Sequence, residues 1–138
     1  MPVIAIHEPS LDYGGRLSAQ VGGHAALYDQ YVFTICDRIT DTYEGGEWHM
    51  VEFKDPESEL TGFYLQLKSD ETFNISISSN YFEGSASSDA LSIIVNLVAL
   101  NTLCWKNPDD ENLYNLYHAL RYWACGHEES ATILGAID

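Results

Sequence analysis

Residues 62–105 read GFYLQLKSDETFNISISSNYFEGSASSDALSIIVNLVALNTLCW, and a change of period inside this stretch decides the fold. Across Gly62–Lys68, Phe63, Leu65 and Leu67 alternate with Tyr64, Gln66 and Lys68. Across Thr72–Ser78, Phe73, Ile75 and Ile77 alternate with Asn74 and Ser76. Such alternation puts one apolar face on a pleated strand. Ser69-Asp70-Glu71 supplies the intervening turn, and Ser79-Asn80 begins another, leaving room for a short fourth strand at Tyr81–Gly84. The period then switches. Ser87 can cap a helix, and Asp89 sits favourably in its positive first turn. Leu91 to Trp105 is apolar on nearly every side, which predicts a central buried helix.

Upstream, Glu47–Phe53 places His49, Val51 and Phe53 on one face, a third strand, joined to the next by the acidic linker Lys54–Thr61. Before it, Tyr28, Tyr31/Val32, Ile35/Cys36, Ile39 and Tyr43 fall at helical spacing, with Gly45-Gly46 as the stop. Residues 1–24 carry glycine pairs at Gly14-Gly15 and Gly22-Gly23 and read as an arm or loop with room for a short strand at Val3–Ile6. Downstream, Asn107-Pro108 breaks the helix and Asp109 or Asp110 caps the next. In that helix Leu113, Leu116/Tyr117, Leu120 and Trp123/Ala124 make one stripe, and Gly126 ends it. Glu128–Ala136 reads as a last short helix. The expectation is a single α+β domain over 1–138, with a three- to four-stranded antiparallel sheet, helices on one face, and the order α-βββ(β)-ααα.

The chain has 138 residues, 46% of them hydrophobic, and a formal net charge of −15 from 21 acidic and 6 basic residues. A chain of this length can bury a full core without disulfide or metal staples. Charged residues make up 20%, so the acidity reflects scarce Lys and Arg more than abundant carboxylates. The basic residues are scattered, which argues against direct binding to nucleic acid or to an anionic membrane. No apolar stretch comes near the ~18 residues of a membrane span, and the N-terminus lacks a signal-peptide pattern. Cys36, Cys104 and Cys125 are read as buried free thiols of a cytoplasmic protein.

Enzymatic motifs are missing: no dinucleotide fingerprint, phosphate loop, HExxH or GxSxG occurs. His118, Cys125 and His127 are the best metal candidates, but the pattern lacks a paired CxxC, and capping or core roles are favoured. Thiols inside apolar stripes are unreactive. His49 is read as a hydrogen-bonded structural residue, and the pairs Glu57/Glu59 and Asp109/Asp110 as solvated loops or caps. No metal, cofactor or catalytic residue is therefore expected.

Four segments occur in a fixed order: Tyr43-Glu-Gly-Gly-Glu-Trp48-His49; Gly62-Phe63-Tyr64; Asn80-Tyr-Phe82-Glu-Gly84-Ser-Ala-Ser87-Ser-Asp89-Ala90, followed by Ile94-Val95-Asn-Leu97-Val-Ala99-Leu100; and Tyr117-His118-Ala-Leu120-Arg121-Tyr-Trp123-Ala124-Cys-Gly126-His127-Glu-Glu129-Ser-Ala131, running on to Ala136-Ile137-Asp138. In order and spacing, across about residues 25–138, they resemble the ArdB/KlcA antirestriction family. Residues 1–24 diverge from that family's arginine-containing opening. The resemblance implies a small α+β protein of plasmids and other bacterial mobile elements. It also implies a non-enzymatic protein that relieves type I restriction-modification of incoming DNA.

A duplex carries one charge per ~1.7 Å of axis. The carboxylates here are dispersed and partly used as caps, which favours a specific protein contact, steered by charge, over imitation of DNA. The partner implied is a protein of the type I complex; the alternative is another partner of the mobile element, or less plausibly a metal or thiol enzyme. Candidate contact residues are Asp138, Glu47, Glu83, Glu128 and Glu129, with Asp138 expected at a mobile tip. Trp48, Phe63, Tyr64, Gly84, Ser87, Asp89, His118, Arg121, Gly126 and His127 are read as structural positions of the motifs. His118 and Arg121 are expected to pair with buried carboxylates or carbonyls.

Overall fold

The structure, a computed structural model, describes residues 3–7, 11–55 and 61–138. Glu57 and Glu59 of the acidic linker lie outside the described residues. The elements are β1 (Val3–His7), α1 (Leu11–Val21), α2 (Ala25–Ile39), β2 (Trp48–Lys54), β3 (Thr61–Leu67), β4 (Thr72–Ile77), β5 (Phe82–Ser87), α3 (Ser88–Lys106), α4 (Glu111–Cys125) and α5 (Ser130–Ile137). This is the expected α+β class, but the strands form two antiparallel sheets, β1-β2-β3 and β4-β5.

The split follows from what happens at the outer edge of β3. Leu65 N–H donates to Asn96 Oδ1 at 2.9 Å, and Asn96 Nδ2 donates back to the Leu65 carbonyl at 2.8 Å. Leu67 N–H donates to Ser92 Oγ at 2.9 Å, and Ser88 Oγ donates to the Leu67 carbonyl at 2.5 Å. Ser88, Ser92 and Asn96 lie four residues apart on α3, a rise of about 6 Å per step. Alternate residues of a strand advance about 6.7 Å. The two repeats match over this length, so α3 lies along β3 and its side chains stand where another strand would pair. Strand β4 pairs with β5 instead, Thr72 opposite Ser87 and Ile77 opposite Phe82.

Helix α3 is the central element, buried from Ser88 to Leu103 except at Asp89, Val98, Asn101 and Thr102. By length and composition it is apolar enough to cross a membrane, contrary to expectation, yet it is enclosed by α2, α4, α5 and β3. Tyr28 closes the same polar line from α2: its ring packs 5.4 Å from Phe63, and its hydroxyl donates to Asn96 Oδ1 at 2.5 Å.

Strand β2 is buried on both faces, not one. Phe53 stacks on Trp123 of α4 at 4.4 Å, whereas the neighbouring Glu52 points to the opposite face and meets Arg16 and Gln20 of α1. The glycine-rich stretch expected to be an arm therefore contains a helix over that second face, and the short strand is there as β1, paired with β2. Tyr13, Leu17 and Val21 form the helix's apolar stripe, with Leu17 and Val21 buried. Gly14 and Gly15 hide it, because glycine disfavours helix by about 1 kcal/mol per residue and tertiary packing overrides that penalty. Gly62 is required by contact instead: a Cβ there would lie 2.7 Å from the Phe53 ring and 3.1 Å from Ala119 Cβ.

Other boundaries differ for local reasons. Helix α2 stops at Ile39, short of Tyr43, because Thr40 turns extended and bridges to Ile75 of β4. Ser87 and Asp110 cap α3 and α4, accepting from Ala90 and Leu113 N–H. Of the three cysteines only Cys36 is buried; Cys104 is half-buried and Cys125 exposed. Burial pushes the Cys36 thiol up to about 12.

Two stability outcomes follow. Asn96→Leu strands the Leu65 N–H and carbonyl in the core and should lower unfolding free energy in urea by at least about 3 kcal/mol, since each buried unpaired group costs ~1–3 kcal/mol. Gly14→Ala, which has open space for its methyl, should raise it by about 0.5–1 kcal/mol. A loss on Gly14→Ala would argue against helix at that position.

Candidate functional site

Two polar clusters and one open cleft gather the residues with functional potential. The first cluster joins three motif segments. Asp89, at the start of α3, accepts from Tyr64 (2.8 Å) and Gln66 (2.7 Å) through Oδ1, and its Oδ2 meets His127 Nε2 at 2.8 Å. Burial works to raise the Asp89 carboxyl, but bonds from His127, Gln66 and Tyr64 outweigh it and hold the group below its usual range. The bond to Asp89 in turn raises His127 against its own burial. Burial, then the adjacent Asp89, keeps the Tyr64 phenol protonated as a donor.

Ser87, Asp89 and His127 together have the composition of a hydrolase triad, but the wiring differs. His127 Nδ1 accepts the Glu129 N–H at 2.9 Å, and Nε2 is on Asp89, so neither ring nitrogen faces the Ser87 hydroxyl. That hydroxyl donates to Glu129 Oε2 at 2.5 Å. Glu129 also accepts from Ser87 N–H at 3.0 Å, so this carboxylate, expected at a contact surface, ties α5 to β5. The cluster holds the α4–α5 turn against β3 and α3.

The second cluster surrounds Glu52, which the sequence reading passed over. Arg16 Nη2 donates to Oε2 at 2.7 Å and Nε to Oε1 at 3.1 Å, with His7 at 2.8 Å and Gln20 as further partners. Burial opposes ionisation, yet the bonds from Arg16, Gln20 and His7 and the charge of Arg16 hold Glu52 at about 2. A carboxylate in the run Met50-Val51-Glu52-Phe53 was the available signal.

The other expected residues are spread out. Glu47 is exposed and meets His49 Nε2 at 2.5 Å, as a structural histidine would. Trp48 is buried between Phe33 and Tyr43 and donates to the Tyr43 hydroxyl at 3.1 Å. Phe63 and Tyr64 are buried, and Gly84 faces the Phe82 ring, 3.0 Å from where a Cβ would stand. Gly126 caps α4 with an ordinary negative φ of −92°. Asp138 is no free tip: Arg121 Nη1 donates to its Oδ1 at 3.4 Å. Arg121 thus pairs with an exposed carboxylate, and His118 lies on the rings of Tyr114 and Tyr117. Glu128 is exposed in the α4–α5 turn. Among the described residues no three His, Cys, Asp or Glu side chains are grouped to hold a metal ion.

The cleft, about 610 Å³, opens between the end of α2 and the outer face of the β4-β5 hairpin. The Thr40–Ile75 bridge sets the two walls side by side. Asp37, Arg38 and Asp41 line one wall; Asn74, Ser76, Glu83 and Ser85 line the other. Asp37, Asp41 and Glu83 make no hydrogen bond or ion pair among the described residues. Asp37 and Asp41 stand at the C-terminal end of α2, where the helix dipole makes a negative charge unfavourable. Two aspartates flanking the end of a helix stripe were the sequence signal for this site.

The protein-family comparison matches residues 41–138 to the family described as "Antirestriction protein". The chain belongs to the antirestriction protein family. Two Escherichia coli relatives named antirestriction protein KlcA are similar to it: one is 36% identical over 110 residues, 78% of this chain and 72% of the relative; the other is 34% identical over 129 residues, 91% and 82%. A solved structure of the KlcA and ArdB group superposes with a TM-score of 0.80 at 29% identity, covering 100% of this chain and 96% of that one. That structure is described as a novel fold with antirestriction activity against type I DNA restriction systems in vivo but not in vitro. The antirestriction match and the α+β fold agree with the motif reading, and the superposition also takes in β1 and α1.

The Glu52 cluster sets an acid limb for this antirestriction protein. A carboxyl at about 2 when folded and 4.5 when unfolded stabilises the fold above about pH 4.5, and that contribution is lost as pH falls toward 2. Glu52→Gln should cost about 2 kcal/mol at neutral pH and flatten the loss of stability between pH 4.5 and 2, read by circular dichroism. An unchanged acid limb would exclude Glu52 as its source.

Proposed function

We propose that this protein relieves type I restriction of incoming DNA in the bacterial cytoplasm by binding, without catalysis, to a protein of the restriction-modification complex. The observation that carries the reading is the open cleft, where Asp37, Asp41 and Glu83 outnumber Arg38, are unpaired among the described residues, and in two cases sit at the helix end that disfavours negative charge. Exposed negative charge of this kind is what a basic partner can use. Family membership supplies the biological setting.

Protein binding fits better than imitation of DNA. Glu47, Glu52, Asp89, Asp110, Glu129 and Asp138 are all engaged by the protein's own groups. Among the described residues, the cleft carboxylates Asp37, Asp41 and Glu83 come from two places, the end of α2 and strand β5. Glu47, Glu128 and Asp138 are kept as outer contacts beside Glu83, while Glu129 acts by holding Ser87. Binding without chemistry fits the occupied nitrogens of His127.

Phage plating on hosts with and without a type I system tests the reading. Expression of the chain should raise plating efficiency only on the restricting host. The triple variant Asp37→Asn, Asp41→Asn, Glu83→Gln should lose most of that protection, as charge steering worth about tenfold in association rate disappears. Its thermal stability should hold or rise by about 0.3–1 kcal/mol per helix-end charge removed. Full protection by the variant would sink the cleft as the contact; equal plating with and without the wild-type chain would sink the function.

A further inference from the structure

At the corner between α3 and α4 lies a second groove, about 230 Å³, lined by Asn101, Cys104, Trp105, Asn107, Asp110 and Tyr114, among others. Trp105 is 80% exposed and Tyr114 60%. An exposed tryptophan beside an exposed tyrosine is an uncommon use of apolar surface and a common feature of interface hot spots. Trp105 closes the last turn of α3, where the helix has emerged from the core, so the apolar run of the sequence hides its exposure.

Carboxylates predominate around the groove. Asp110 lines it, caps α4 and meets His24 Nε2 at 3.2 Å, and its sequence neighbours Asp109 and Glu111 are exposed. The nearest lysine is turned away: Lys106 Nζ donates to the Tyr31 hydroxyl at 2.8 Å and sits 5.3 Å from that ring's centroid. Trp105 has no ring or cation contact among the described residues, Tyr114 meets His118 on one side at 4.3 Å, and the carboxylates left free nearby are Asp109 and Glu111. A planar guanidinium satisfies rings and carboxylates alike, stacking on indole and phenol while donating to carboxylate oxygens.

We propose that this groove receives an arginine side chain from a basic segment of the protein partner, a second contact distinct from the cleft of Asp37, Asp41 and Glu83. The proposal rests on the binding reading for the partner's being a protein. Its stacking geometry distinguishes it from charge attraction alone, because lysine offers equal charge but no plane.

The test uses two capped peptides of equal charge, one alternating arginine with glycine and one alternating lysine with glycine. Each is titrated into the whole protein, with the three indole N–H signals followed by NMR. The arginine peptide should shift the Trp105 indole in a saturable way and bind at least several-fold more tightly than the lysine peptide. Trp105→Ala and Tyr114→Ala, both exposed and so compatible with the fold, should each abolish that preference for arginine; Tyr81→Ala, exposed at the β4-β5 turn, should keep it. Equal affinity for both peptides, or an undiminished preference in Trp105→Ala, overturns the proposal. Where the wild-type chain protects in the plating assay, Trp105→Ala should protect less, and protection equal to that of a protecting wild type would also overturn it. A wild-type chain that binds the arginine peptide as expected but gives no protection would support the groove and defeat the antirestriction reading alone.

Discussion

The structure depends on a line of polar side chains on an otherwise apolar helix. Ser88, Ser92 and Asn96 of α3 pair the outer edge of β3, and Tyr28 completes the set from α2. An unpaired strand edge in a core would leave buried N–H and carbonyl groups without partners. Here a helix meets that need, and the sheet ends there. The consequence is an α+β body in which β4 and β5 form a separate hairpin, free to place its outer face opposite the end of α2.

That freedom creates the acidic cleft. It also sorts the carboxylates into two populations. One is internal and ties elements together: Glu52 joins α1 to β2, Asp89 joins α3 to β3 and the α4–α5 turn, and Glu129 joins that turn to β5. The other is outward and, among the described residues, unpaired, at Asp37, Asp41 and Glu83. A net charge of −15 describes neither. The first population contributes to cohesion, and the second is what a basic partner would meet. The motif residues belong mostly to the first, which is why a family pattern can be strong in a protein whose contacts lie elsewhere.

Much was legible because it is local. Alternation in 62–68 and 72–78 specified β3 and β4, and the caps at Ser87 and Asp110 placed the starts of α3 and α4. Helix α1 was missed because Gly14-Gly15 speaks against helix while its evidence, the burial of Leu17 and Val21 over the far face of β2, is non-local. For the same reason β2 looked one-sided: Glu52 reads as solvent-facing until Arg16 and Gln20 arrive from α1. Trp105 was read as core because hydropathy reports composition, not where a helix leaves the core.

By itself the sequence determined the α+β class, the helix caps, the order of the motifs and hence the antirestriction family, and the acidic balance. These depend on residue type and near-neighbour spacing. Only the tertiary structure decided that the strands divide into two sheets, that the Ser87, Asp89 and His127 trio is a brace with both imidazole nitrogens occupied, and which carboxylates stand free. Each of those turns on partners drawn from segments tens of residues apart, and a hydrogen bond depends on distance in space, which the chain acquires only when it packs.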